Sequence, residues 1–252
     1  MGLEVITIPC LSDNYAFLVR DDTTGEVALF DVPEAAPIAA TLRKKGWSLN
    51  KVFLTHHHAD HVQGLTDLEL GGIEIIGAAA DAHRLPPLTH SVSAGDRVSI
   101  GESTGVVWDV SGHTVGHVAF IFDGYAFTGD SLMALGCGRL FEGTAAQMWQ
   151  SLSQFDALPD ETWVCSGHEY TAANARFAAT VEPQNGDLAE RSQRIAEART
   201  AGRPTVPSLL SDERATNPFL RAALPAVKRE MGMEGAEDAA VFAEIRARKD
   251  RF

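Results

Sequence analysis

The 252-residue chain predicts a layered α/β sandwich followed by a small helical C-terminal domain. Three observations carry that reading. The first 170 residues are dominated by short apolar strand segments separated by tight-turn signals. Helical stretches fall between them, so that two groups of strands are each flanked by helices. Beyond residue 185 no strand pattern survives. The division is placed between residues 1–170 and residues 171–252.

In chain order, LEVITI (3–8), YAFLVR (15–20) and EVALFD (26–31) read as an opening meander, with Asp-Asn and Thr-Gly turn signals between them. A helix is expected from Pro33 to Lys45, with Gly46 as its stop. KVFLT (51–55) is a short apolar strand that runs directly into His56, which puts HHHADH in a strand-to-helix loop. IEIIGA (73–78), DRVSI (96–100), VVWDV (106–110), HVAFIF (117–122) and YAFTGD (125–130) are further strands. Thr144 to Gln147 forms a capping-box start for a helix reaching about Ala157. TWVCSG (162–167) is a last strand before a helix near Thr171. Asp187 to Glu190 opens a further helix, and Pro204 and Pro207 interrupt the chain. Ala236 to Arg251 forms a final helix with Val241, Phe242 and Ile245 on its apolar side.

Composition is ordinary for a globular protein, 45% hydrophobic and 22% charged, which excludes disordered, collagenous and coiled-coil classes. No run approaches a membrane span, and the first ten residues lack the basic region of a secretory signal, so a cytoplasmic address without membrane contact is expected. A net charge of −13 argues against nucleic acid as a partner. The charge is uneven: residues 191–252 hold 12 of the 21 Lys and Arg but 9 of the 34 acids, a net +3 against −16 for residues 1–190. The three cysteines, Cys10, Cys137 and Cys165, are too few and too scattered for a disulfide framework or a thiolate metal site and are expected as buried free thiols.

The chemistry is concentrated in His56-His57-His58-Ala59-Asp60-His61. His56 and His58, two apart in an extended segment, point the same way and can take one metal ion. Asp60 and His61, where the chain turns into a helix, can address a second. Metal ions need more ligands than one loop offers, and three more segments supply them: His113 in GHTVGH, Asp130 in TGD and His168 in SGH. Each lies just past a strand and beside a glycine that lets the backbone come close. Imidazole and carboxylate without thiolate suit Zn, Fe or Mn. His57 is expected to point away from the ligands, supporting or packing against them, and His83 and His90 to lie at the surface. His117 either orients a ligand or packs.

THHHADH, GHTVGH, TGD and SGHEY in this order resemble the metallo-β-lactamase superfamily, whose fold is an αββα sandwich. GCGRLFEGTA (136–145), GHEYTAAN (167–174) and the ending Arg246-Ala-Arg-Lys-Asp-Arg-Phe252 are similar to glyoxalase II, extending the resemblance over nearly the whole chain. The resemblance implies two divalent ions per chain, Zn first with Fe or Mn compatible. One would be bound by His56, His58 and His113 and the other by Asp60, His61 and His168, with Asp130 bridging. It also implies hydrolysis of a glutathione thioester, S-D-lactoylglutathione, to glutathione and D-lactate, the second step of methylglyoxal detoxification. A monomer is expected. Asp60 and Asp130 would carry catalysis by holding a water that both ions acidify. A thiolate leaves without much help, its conjugate acid having a pKa near 8.5.

Glutathione is anionic and the body of the chain is acidic, so local cations are required. Arg246 and Lys249, three apart on a predicted helix, project from one face, and the resemblance makes them glutathione contacts. Arg139, Phe141 and Tyr170 occupy further contact positions. Relatives often carry Lys and Tyr where this chain has Arg139 and Phe141, which keeps the charge and drops a hydroxyl. The alternatives are a persulfide dioxygenase with one iron, or another hydrolase of the superfamily.

Overall fold

Two six-stranded sheets pack face to face in the computed structural model, which describes residues 2–69 and 71–252. The first sheet runs in sequence order: β1 (Leu3–Cys10), β2 (Asn14–Asp21), β3 (Val27–Phe30), β4 (Lys51–Leu54), β5 (Glu74–Ala78) and β6 (His90–Val92). Its first three strands are antiparallel, as short hairpin turns allow. The next pairings are parallel, and the first of them is bridged by helix α1 (Ala35–Lys45). Gly46 ends that helix in the left-handed conformation, φ 67°, where its N–H closes onto Arg43 and Leu42 carbonyls. A second, one-turn helix α2 (Ala59–Val62) follows β4.

The second sheet is built from β7 (Arg97–Ile100), β8 (Ser103–Asp109), β9 (Val118–Phe122) and β10 (Tyr125–Gly129). A small hairpin of β11 (Leu132–Met133) and β12 (Gly136–Cys137) leads to helix α3 (Ala145–Ser153). Strand β13 (Trp163–Ser166) then returns to the sheet parallel to β10. Helix α3 starts on the expected capping box, with Thr144 and Gln147 each accepting from the other's backbone, and becomes a 3₁₀ turn at Gln154–Ala157. The remaining helices are α4 (Thr171–Val181), α5 (Gly186–Thr200), α6 (Leu210–Thr216), α7 (Pro225–Glu230) and α8 (Asp238–Arg251).

Hydrophobic burial explains the layering. Phe17, Phe30 and Phe53 from the first sheet meet Phe120, Phe122 and Phe127 from the second in a shared core, each ring contributing about 1.5–3 kcal/mol when fully buried. The outer face of the first sheet packs Leu18, Leu29 and Val52 under Ile38 of α1. The outer face of the second packs Ala119, Ile121 and Val164 under Met148 and Leu152 of α3 and under Val241, Phe242 and Ile245 of α8. The order is therefore helix, sheet, sheet, helix. All three cysteines are buried and free.

The sequence reading missed three kinds of element. Residues 208–209 form β14 (Ser208–Leu209), an antiparallel edge strand on β13, so strand structure does persist beyond residue 185 and the C-terminal region completes the second sheet. Strand β6 and helices α6 and α7 are too short to leave a periodic signal. No described helix is long and apolar enough to cross a membrane.

Candidate metal centre

The ends of β4, β10 and β13 and the loop after β8 converge on one edge of the sandwich. His56 to His58 leave β4 extended, and His58 is the N-cap of α2, which carries Asp60 and His61. Asp130 directly follows β10 and His168 comes two residues after β13. Side-chain ligand atoms lie within 4.8 Å of one another in three overlapping groups: His56, His58 and His113; His56, His61 and Asp130; Asp60, His61 and His168. All seven expected ligands are thus brought together. Gly167 permits the closure, since a Cβ there would stand 2.5 Å from the His61 ring and 2.7 Å from Asp130 Oδ1.

The hydrogen bonds behind the ligands decide which nitrogen of each ring faces inward. His113 donates from Nδ1 to the Arg139 carbonyl at 2.9 Å, which leaves Nε2 as a lone pair. His61 Nδ1 lies 2.8 Å from Asp31 Oδ2, and His168 Nδ1 lies 2.9 Å from Asp13 Oδ1, so each can donate outward while its Nε2 faces the centre. Thr55 donates its hydroxyl to Asp31 at 2.8 Å and can therefore only accept from His56 Nδ1 at 3.0 Å. Four imidazole Nε2 atoms then face a space they share with the Asp130 carboxylate. His61 and His168 Nε2 are 3.4 Å apart, and His113 Nε2 is 3.0 Å from His58 Nδ1. His56 Nε2 and Asp130 Oδ1 are buried with no hydrogen-bond partner. A buried polar atom without a partner costs about 1–3 kcal/mol. A group of such atoms turned toward one another fits a pair of cations, and the nitrogen and oxygen donors suit borderline divalent metals.

Electrostatics point the same way. Burial, with His61 and His117 as neighbours, holds His56 well below the usual histidine range, so it stays neutral and able to ligate. Burial works against charge on His61 and His168 too, but the Asp130 and Asp31 carboxylates overcome it at His61 and Asp130 and Asp60 overcome it at His168, which is raised to about 10. Burial likewise opposes ionisation of Asp130, yet the charge of His61 and a hydrogen bond to His168 carry its pKa well below the carboxylate range. A hydrogen bond with His168 does the same for Asp60 despite its partial burial, and Asn14 Nδ2 holds the Asp60 Oδ2 at 3.0 Å. The centre thus draws positive charge into a buried space.

His117, left open between orientation and packing, does both. Its ring stacks on His56 with centroids 4.5 Å apart, and its Nε2 accepts the Asp130 backbone N–H at 3.1 Å. His57 points away from the ligands and pairs with Asp81 at 2.9 Å. Asp81 also accepts from Arg84, which bonds Glu142, and Glu142 in turn accepts the Val115 N–H, so His57 belongs to a brace under the His113 loop. His83 and His90 are exposed. Asp31, Asp13, Asn14 and the hydroxyl of Thr55 were missed as supporting groups. Asp31 carried the available signal, a carboxylate directly after an apolar strand. Asp13 and Asn14 look like ordinary turn formers in sequence.

The centre forms the floor of a cavity of about 630 Å³, whose walls include Arg139, Phe141, Tyr170, Arg246 and Lys249, the five residues expected to meet substrate. Arg176 of α4 also lines it and was not foreseen. Tyr170 stacks on His168 at 4.6 Å with the rings nearly parallel, and Phe141 sets its edge against His58 and His113. Arg246 is buried and already engaged, donating to the Cys137 carbonyl at 3.0 Å and to Asp250 at 2.8 Å. Lys249 sits over the Phe177 and Phe252 rings. Burial and its neighbours Arg246, Arg176 and Arg139 bring its pKa down to about 8.

Residues 12–168 match the metallo-beta-lactamase superfamily, and residues 169–252 match the hydroxyacylglutathione hydrolase C-terminus. Proteins named hydroxyacylglutathione hydrolase from Cereibacter sphaeroides (strain ATCC 17025 / ATH 2.4.3) and from Ruegeria pomeroyi are each 62% identical to this chain, covering 100% of both sequences in each case. The chain belongs to the hydroxyacylglutathione hydrolase family. Among solved structures, a metallo-beta-lactamase from Staphylococcus aureus shares the fold at 20% identity and a TM-score of 0.66, over 97% of this chain and 66% of its own. A protein solved in a di-iron-bound form is 25% identical with a TM-score of 0.56, over 66% of this chain and 91% of its own. The two matched regions of this hydroxyacylglutathione hydrolase family member abut at His168, so the centre is completed by the last residue of the superfamily region, while Tyr170, Arg176, Arg246 and Lys249 come from the C-terminal one.

Proposed function

We propose that the chain is a thioester hydrolase that cleaves S-(2-hydroxyacyl)glutathione, with S-D-lactoylglutathione as substrate, to glutathione and a 2-hydroxy acid. The carrying observation is that the inward-facing donor set forms the floor of a cavity with cations in its walls. Residues 1–170 are assigned the metal-holding and catalytic part and residues 171–252 the substrate-binding part. His56, His58 and His113 would hold one ion and Asp60, His61 and His168 the other, with Asp130 shared. Zinc is the first choice and iron or manganese compatible. When bound, such ions lower the pKa of a water and polarise a carbonyl oxygen.

The chain's own groups do the rest. Asp60, 42% exposed and restrained by Asn14, presents a carboxylate that can orient a water by accepting its hydrogen bond. Tyr170 and Phe141 flank the centre and shield the reacting carbon from bulk water. Arg139, Arg176 and Lys249, with Arg246 behind them, attract the glutathione carboxylates. Because the departing thiol has a pKa near 8.5, no general acid is needed to expel it at neutral pH.

Three of the four exposed aromatic residues, Phe141, Tyr170 and Phe252, line this cavity, so their exposure calls for no partner subunit and supports a monomer. The free thiols suit a reducing compartment such as the cytoplasm. The test is elemental analysis paired with a thioester assay. Two ions per chain and release of free thiol are expected. One iron per chain with oxygen consumption would favour persulfide oxidation instead.

A further inference from the structure

We propose that the hairpin of residues 132–137 is held in place by a clamp of C-terminal side chains, making Asn174, Glu213 and Asn217 positioning residues for the metal centre. The hairpin begins two residues after Asp130 and ends two residues before Arg139, whose carbonyl fixes the tautomer of His113. Its placement therefore sets two of the candidate ligands at once. Each residue from 133 to 137 has a backbone polar group bonded to a C-terminal side chain. Asn217 Nδ2 donates to the Met133 and Gly136 carbonyls at 3.1 and 3.0 Å. Asn174 Nδ2 donates to the Ala134 carbonyl at 3.0 Å, and Glu213 accepts the Leu135 N–H at 2.8 Å. Arg246 donates to the Cys137 carbonyl at 3.0 Å.

The arms are themselves fixed. Glu213 is fully buried and also accepts from Arg191, from Ser208 at 2.7 Å and from Asn217 at 3.0 Å. A buried ion pair is a poor way to gain stability, since apolar replacements of similar volume often do as well or better. Here its remaining bonding capacity is spent on a strained segment. Leu135 is a non-glycine residue with φ 56°, in the left-handed region, a conformation that persists only where surrounding contacts hold it. The arrangement gives the C-terminal helices a second task besides lining the cavity. They hold the backbone that connects Asp130 to the carbonyl orienting His113.

The test compares Asn217→Ala and Asn174→Ala with Val227→Ala, a truncation in α7 within the apolar cluster that also holds Leu132 and Cys137, at a residue whose carbonyl accepts the Met231 N–H. Zinc retention against a competing chelator and hydrogen exchange of the residue 132–137 amides in the metal-free protein are measured for each, at temperatures well below unfolding. Both Asn variants should lose about tenfold or more in zinc retention, as expected when groups that orient metal ligands are removed, and the hairpin amides should exchange faster. The control should match wild type in both readouts at a comparable loss of Tm. Wild-type behaviour of the Asn variants, or equal loosening in Val227→Ala, overturns the proposal. The zinc readout rests on the binuclear reading. If wild type held no zinc that reading would fail by itself, and the exchange comparison would still decide the clamp.

Discussion

Asp31→Asn changes one atom's chemistry at a residue that touches no candidate metal position, and it should weaken metal binding by turning two imidazoles around. Asp31 Oδ1 accepts the Thr55 N–H at 2.9 Å, while Oδ2 accepts the Thr55 hydroxyl and faces His61 Nδ1, both at 2.8 Å. An asparagine that keeps its oxygen on the Thr55 N–H places an NH₂ where Oδ2 stood. The Thr55 hydroxyl must then turn, and its nearest alternative acceptor is His56 Nδ1 at 3.0 Å, which moves the His56 proton to Nε2. His61, now facing a donor, likewise moves its proton inward. The flipped amide instead sets its NH₂ against the Thr55 N–H and strands a buried donor. Either way a buried group is mispaired at about 1–3 kcal/mol, equivalent to roughly 5- to 150-fold in metal affinity if the loss is taken there. Competition with a chromogenic chelator measures it, with thermal unfolding of the metal-free protein as the companion assay. Unchanged affinity together with unchanged Tm would refute the tautomer argument.

Other perturbations follow from the same geometry. Gly167→Ala forces a methyl against the His61 ring and Asp130 and should abolish metal loading, read by elemental analysis of the purified variant. Lys249, with its pKa brought down to about 8, attracts an anion only as the ammonium, so KM should rise as pH increases through that region and Lys249→Ala should raise KM with little change in kcat. The pH series on wild type and variant checks both, since the variant should lack the inflection. Removing metal with a chelator should lower Tm as well as activity, because ions that bind only the folded chain stabilise it by mass action, and zinc should restore both. Raising the salt concentration should raise KM, as expected for charges at a partly open cavity.

Much of this molecule was legible in sequence, and the pattern of what was not has a physical cause. The strands, the capping box at Thr144 and the glycine stop at Gly46 are encoded by neighbours a few residues apart, so periodicity and turn chemistry report them directly. The ligands were readable because each of their four segments follows a strand, and three of the four set the ligand beside a glycine. Asp13, Asn14 and Asp31 escaped because their role exists only through partners 24 to 155 residues away. Strand β14 escaped for the same reason: its two residues are a strand only because the edge of β13 is open to them. Arg246 and Lys249 were expected to act as a pair from their spacing. Their spacing does put both on the cavity wall, but sequence could not reveal that Arg246 is already bonded to Cys137 and Asp250 while Lys249 stands over two aromatic rings.

The chain carries −13 overall, yet its proposed substrate is an anion, and the conflict is resolved by where the charges sit. Beyond about 8 Å of ionic atmosphere the acidic surface is largely screened, so the field an incoming ligand meets is set by the groups lining the cavity. Burial first and then three arginines depress Lys249 there, and Asp250, which bonds Arg246, is the only acid among its principal influences. Three arginines against one acid around a half-buried lysine make a local surplus of positive charge. Three of those four cations come from the C-terminal region, the part of the chain that also clamps the hairpin beside Asp130. Selecting an anionic thioester and holding the groups that would cleave it are therefore built on the same helices. A change in one helix face should then alter recognition and metal geometry together, unless it is confined to side chains such as Lys249 that reach the cavity without bonding the hairpin.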